Sequence, residues 1–212
     1  GLWDMHVHLA EPDLIKHLAA GVTMVRDMGN APDELDRMHK EVASGALVGP
    51  GILRAGFIDQ AGPLETPMGI LVDDLDGALV AVDEYAGRGY QQIKLYGAIA
   101  PEWVEPIAKR THELGMRLSG HIPMTGTTEQ AIRSGYDEVQ HFIYMWLNFA
   151  DHPITSELTF NTARIARNTP ADSADIRGLE QLFLDQDAAL DPTLTIYSEL
   201  LASKPGELKR SY

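Results

Sequence analysis

Four times along the chain a helix-like segment ends in glycine and passes at once into a strand-like one. Gly21 precedes Val22-Thr23-Met24-Val25, Gly89 precedes Tyr90 to Leu95, Gly115 precedes Met116-Arg117-Leu118, and Gly135 precedes Tyr136 to His141. Glycine enters the left-handed conformation without a Cβ penalty, so each is a helix stop. Strands that alternate with helices need crossover connections and therefore lie parallel.

Followed through the chain, this unit predicts seven strands: Leu2 to Leu9, Val22 to Met28, Ile52 to Ile58, Gln92 to Tyr96, Arg117 to Ile122, Glu138 to Tyr144 and Pro192 to Tyr197. The helices between them are expected near Asp13 to Ala20, Pro32 to Ser44, Leu75 to Arg88, Pro101 to Leu114, Thr128 to Ser134 and Ile176 to Leu190. Seven βα repeats exceed the five or six strands of common doubly wound sheets and fall one short of a (β/α)8 barrel. The expected architecture is an α/β, TIM-type barrel that is incomplete, a single partial domain over residues 1–212; an open seven-stranded sheet is the alternative.

Composition excludes several classes. The 17 basic and 31 acidic residues give a net charge of −14, a surface that repels phosphate backbones and anionic lipid, so neither nucleic acid nor membrane is an expected partner. Without cysteine there is no thiolate metal site and no disulfide, and the compartment stays open. No run approaches the roughly 18 apolar residues of a membrane span, and no signal-peptide pattern is present, so a soluble protein is expected.

In a barrel of this type chemistry gathers where the strands end. His6 and His8, one residue apart on a strand, share a face and can reach one ion. By itself that pair is a weak signal. It gains weight because Lys94 and Tyr96 fall late in the fourth strand, His121 late in the fifth and His141 late in the sixth. His17, His39 and His112 fall within helices and His152 in a loop, where solvated roles are expected. Lys94, between Ile93 and Leu95, is pointed: a buried ammonium needs a partner or a modification. A desolvated neutral lysine can take up carbon dioxide as a carbamate, an anionic oxygen ligand able to bridge two cations.

The stretches Gly1-Leu-Trp-Asp-Met-His-Val-His-Leu, Gly21-Val-Thr-Met-Val-Arg-Asp-Met-Gly, Gln92-Ile-Lys-Leu-Tyr, Ser119-Gly-His-Ile-Pro and Val139-Gln-His-Phe resemble, in order and spacing, the amidohydrolase superfamily, nearest its imidazolonepropionase-like and prolidase-like branch. Asp191-Pro192-Thr193-Leu194 resembles its seventh strand. The resemblance implies two divalent metal ions, usually zinc, with His6 and His8 on the more buried one, His121 and His141 on the more exposed one, and Lys94 as the carboxylated bridging ligand. It implies a metal-bridging hydroxide that hydrolyses an amide or peptide-like C–N bond of a small-molecule or peptide-like substrate, dipeptidase-like or carboxypeptidase-like chemistry included. Lys94 disfavours a mononuclear deaminase. Tyr96, sharing an inward face with Lys94, is the candidate substrate contact, with barrel packing as its ordinary alternative.

The family pattern also requires an aspartate ending an eighth strand, and a flanking β-sandwich. Neither is legible here, so a truncated barrel is expected and no catalytic acid or base is assigned; a catalytically inactive metal-binding or structural barrel is the alternative. Asp4 is expected to lie deeper than the histidines, supporting one of their N–H groups. Asp191 is expected at the start of the seventh strand, on the wrong end of the barrel, with Asp27 paired to a cation and Asp59 in a loop. Unpaired edges on the first and seventh strands would favour association, including a homo-oligomer.

Overall fold

The structure, a computed structural model, describes residues 1–63, 65–66, 68–150 and 158–202. Its strands are β1 (Leu2–Val7), β2 (Val22–Asp27), β3 (Gly51–Gln60), β4 (Ile70–Val72), β5 (Gln92–Leu95), β6 (Arg117–Gly120), β7 (Glu138–Gln140) and β8 (Ala189–Asp191). All pair in parallel in the order β1-β2-β3-β5-β6-β7-β8, with the short β4 added beside the end of β3. Seven strands thus form the wall of an incomplete TIM-type barrel, and β4 stands outside it. The helices are α1 (Leu14–Ala19), α2 (Pro32–Ser44), α3 (Leu75–Gly87), α4 (Val104–Glu113), α5 (Thr128–Arg133), α6 (Leu158–Asn168), α7 (Ala174–Asp185) and α8 (Leu194–Ala202). Among the described residues, no helix is long and apolar enough to cross a membrane.

The four glycine stops are where the sequence puts them, and all have positive φ: Gly21 at 81°, Gly89 at 78°, Gly115 at 72° and Gly135 at 107°. Helix starts are equally local. Pro32 opens α2, where a missing N–H is harmless. Asp74, Thr127 and Ser173 cap α3, α5 and α7 by accepting from the backbone N–H three residues on.

The apolar core lies between sheet and helices, where Val25, Ile58, Val82, Ile93, Leu95, Ile107, Leu118 and Val139 are fully buried. Inside the barrel one layer is polar. Arg26 on β2 reaches across to Glu138 on β7, Nη1 to Oε2 at 2.8 Å and Nη2 to Oε1 at 2.5 Å, and donates to Gln92 Oε1 at 3.3 Å. Gln92 donates on to Ser119 Oγ at 2.6 Å. This layer satisfies its own donors and acceptors, as a buried polar network must, and it floors the site above it.

Two expected strands are placed differently, and the expected helix Ile176 to Leu190 ends at Asp185. The expected strand Glu138 to Tyr144 stops at Gln140, and Phe142–Phe149 is a 3-10 helix. The expected seventh strand at Pro192 to Tyr197 lies three residues earlier, at Ala189–Asp191, and Leu194–Ala202 is helical. Pro192 has no N–H to continue the ladder, and the β-branched Thr195 and Ile196 follow their tertiary surroundings rather than their propensity. His152 and Lys204 to Tyr212 lie outside the described residues.

Candidate functional site

His6 is in β1 and His8 just beyond it, Lys94 is the penultimate residue of β5, His121 follows β6 directly and His141 follows β7 directly. All five therefore stand at one end of the sheet. Their rings form a connected group: centroids are 5.5 Å apart for His6 and His8, 4.6 Å for His6 and His141, and 4.8 Å for His121 and His141. Lys94 Nζ is 3.3 Å from His6 Nε2.

Each histidine is held through Nδ1. His8 Nδ1 donates to the Gly29 carbonyl at 2.8 Å. That oxygen can only accept, so the proton is on Nδ1 and the lone pair on Nε2. The same holds for His6, whose Nδ1 lies 2.7 Å from Gln140 Oε1 and 3.2 Å from Asp191 Oδ2. Gln140 gives its amide N–H to Glu138, which fixes its oxygen toward His6. His121 Nδ1 is 2.7 Å from the Tyr144 hydroxyl, and His141 Nδ1 is 2.6 Å from Thr193 Oγ1. His121 Nε2 is buried with no hydrogen-bond partner.

The local chain explains these placements. Gly120, at φ +153°, lets β6 press against β5: a Cβ there would fall 2.1 Å from the Leu95 carbonyl oxygen. His121 N donates to that same oxygen at 3.0 Å. Asp27 is not paired with a cation. Fully buried, it accepts from Leu9 N at 2.8 Å, Gly29 N at 3.0 Å and Asn30 Nδ2 at 3.2 Å, folding the loop whose Gly29 carbonyl orients His8. Asp59 is not in a loop but near the end of β3, where it is buried and accepts from Thr66 N at 2.9 Å and Ala98 N at 3.1 Å. Asp4 accepts from the backbone N–H of His6 at 3.2 Å rather than from an imidazole. Asp191 ends β8 instead of opening it, and so belongs to the site end, with Arg26 Nη2 at 3.1 Å.

Electrostatics favour neutral bases here. Burial pushes Lys94, which has no exposed surface, down to about 7, against the opposing pull of Asp27 and Asp191. Burial and the neighbouring His6 and Lys94 push His141 down to about 3. Burial and Lys94 hold His121 well below the ordinary imidazole value. Burial lowers His8 as well; four imidazoles and an amine at one mouth, with His8, Lys94, His121 and His141 shifted toward their neutral forms, have the donor chemistry of a divalent-cation site. The unpartnered Nε2 of His121 and the lone pairs assigned to His6 and His8 fit such an ion. As the side chains stand, no three His, Cys, Asp or Glu among the described residues close on one point.

Tyr96 follows β5, half-buried, its ring 3.8 Å from His121 and 4.9 Å from Phe57 between centroids. The partners Gln140, Tyr144 and Thr193 were not singled out from the sequence. Gln140, beside His141, and Thr193, in the Asp191-Pro192-Thr193-Leu194 segment, nevertheless fall inside the stretches that carry the resemblance.

Fold and site together define the class: a parallel α/β barrel of TIM type with imidazoles and a lysine gathered at the C-terminal ends of its strands. Solved structures of hydrolases share this architecture. A Xaa-Pro dipeptidase with methionine bound in its active site matches at TM-score 0.67 and 18% identity, over 95% of this chain and 55% of that one. Ochratoxinase from A. niger matches at 0.65 and 16%, over 99% and 55%. Bottromycin amidohydrolase matches at 0.64 and 22%, over 79% and 37%. The chain thus spans about half the length of the first two. No protein-family model and no curated protein matches it. The resemblance to the amidohydrolase superfamily is met at the level of fold.

Proposed function

We propose that the chain is the metal-binding part of a hydrolase of amide-type C–N bonds, with His6 and His8 holding one divalent cation, His121 and His141 a second, and Lys94 as its carbamate between them. The observation that carries this reading is that all four imidazoles are fixed through Nδ1 around a desolvated lysine. Two such cations, zinc being the usual choice, would polarise a carbonyl and lower the pKa of a shared water. Lys94 is suited to carbamate formation because burial pushes its amine down to about 7, toward the free base. The amine nitrogen bonds to the carbon of carbon dioxide and loses one proton, leaving a carboxylate. Tyr96 would line the pocket for a small-molecule or peptide-like substrate.

A second reading, a metal-binding barrel without turnover, draws on the carboxylates at this end. Asp27 and Asp59 are saturated by N–H donors and Asp191 faces Arg26 and His6. One set of measurements separates the two. The hydrolase reading expects about two zinc equivalents, a mass increment of one carbon dioxide on Lys94 under native conditions, and cleavage of dipeptides or N-acyl amino acids by the full protein. Zinc uptake without cleavage of any of these supports the second reading, and no uptake overturns both.

A further inference from the structure

The hydrogen-bonded order of the sheet ends at β1 on one side and β8 on the other. Yet Asp191, the last residue of β8, and the two residues after it hold His6 of β1 and the His141-Phe142 step that follows β7. Asp191 Oδ2 is 3.2 Å from His6 Nδ1, the Asp191 carbonyl accepts from His141 N at 2.7 Å, and the Pro192 carbonyl accepts from Phe142 N at 3.2 Å. Thr193 Oγ1 is 2.6 Å from His141 Nδ1. The two residues joined by that last contact are both left-handed without being glycine, His141 at φ +66° and Thr193 at φ +46°. A β-branched residue avoids that region unless its surroundings impose it.

We propose that Thr193 is a positioning residue for His141: its hydroxyl accepts the Nδ1 proton and leaves Nε2 as the nitrogen offered to the site. The backbone carbonyls of Asp191 and Pro192 fix the chain on either side of that ring, so the imidazole's place and its tautomer are set by one turn. The proposal rests on the reading of His141 as a metal ligand only for its consequence; the tautomer itself is a property of the metal-free chain.

The test uses the full chain with Thr193→Val, which keeps the shape and removes the hydroxyl, and Thr193→Ser, which keeps the hydroxyl. Long-range 1H–15N correlation of the imidazoles in metal-free protein should show His141 protonated on Nδ1 in the wild type and in Thr193→Ser, and on Nε2 in Thr193→Val. A wild-type His141 protonated on Nε2 overturns the proposal, and that spectrum is decisive even if Thr193→Val fails to fold. In competition with a chelator, Thr193→Val should bind zinc roughly 10- to 100-fold more weakly, with Thr193→Ser close to wild type. Equal affinity in wild type and Thr193→Val, with the tautomer switched in Thr193→Val, overturns the reading of His141 as a ligand and leaves the positioning role standing. A wild-type chain with the expected tautomer but no zinc binding sinks the metal-site reading and leaves the positioning role standing.

Discussion

Replacing Lys94 with methionine should stabilise the metal-free protein near neutral pH and remove a characteristic pH dependence. The amine has no exposed surface and is pushed down to about 7 from an ordinary 10.5. Between those values the unfolded chain holds the proton and the folded chain does not, so stability rises with pH across that window and is lost as pH falls toward 7. Below 7 both states are protonated and the penalty is constant. Integrating the difference from about pH 7 to about pH 9.5 gives roughly 3 kcal/mol from this one group. Methionine fills the same channel without a proton to lose. Urea unfolding of both proteins, with a chelator present and carbon dioxide removed so that no carbamate forms, reads the effect directly. The gap between Lys94→Met and wild type should be widest near pH 7 and shrink by that amount toward pH 9.5. A constant gap would mean that Lys94 is solvated or paired in the folded chain, and the argument for its free amine would fail.

Three further outcomes are expected. Tyr144→Phe removes the hydroxyl 2.7 Å from His121 Nδ1 and should weaken zinc binding roughly 10- to 100-fold in a chelator competition, while the far-ultraviolet circular dichroism stays unchanged. Glu138→Gln strips the main counter-charge from the buried Arg26; a loss of about 3 to 5 kcal/mol in urea unfolding is expected. Gly120→Ala drives a Cβ to 2.1 Å from the Leu95 carbonyl oxygen, and little folded protein should be recovered, as measured by gel filtration of the refolded chain.

The barrel was legible because its signals are local. Helix stops at Gly21, Gly89, Gly115 and Gly135, and short apolar strands between them, need no knowledge of distant contacts. His6, His8, Lys94, His121 and His141 could be grouped because strand ends share one rim in a parallel barrel. The misplacement of Asp191 had a specific origin. Thr193 to Tyr197 has strand-like composition, and that outweighed the simpler cue that the residue before Pro192 is extended and ends a ladder. The imidazole partners were hidden for a different reason. Gln140 lies 134 residues from His6 and Thr193 lies 52 from His141, and no periodicity in a single sequence joins positions so far apart.

The four imidazoles are not anchored alike, and this bears on how the chain can drift under mutation. His8 is oriented by the main chain at position 29, so no side chain there is needed for its chemistry. That position is nevertheless closed to change by shape, since a Cβ on Gly29 would meet Phe57 Cδ2 at 2.7 Å. His6, His121 and His141 depend on an amide or hydroxyl supplied by Gln140, Tyr144 and Thr193. In a saturation library, position 29 should therefore accept glycine alone, whatever the function selected. Positions 140, 144 and 193 should sort substitutions by hydrogen-bonding capacity, and only when metal-dependent fitness is scored.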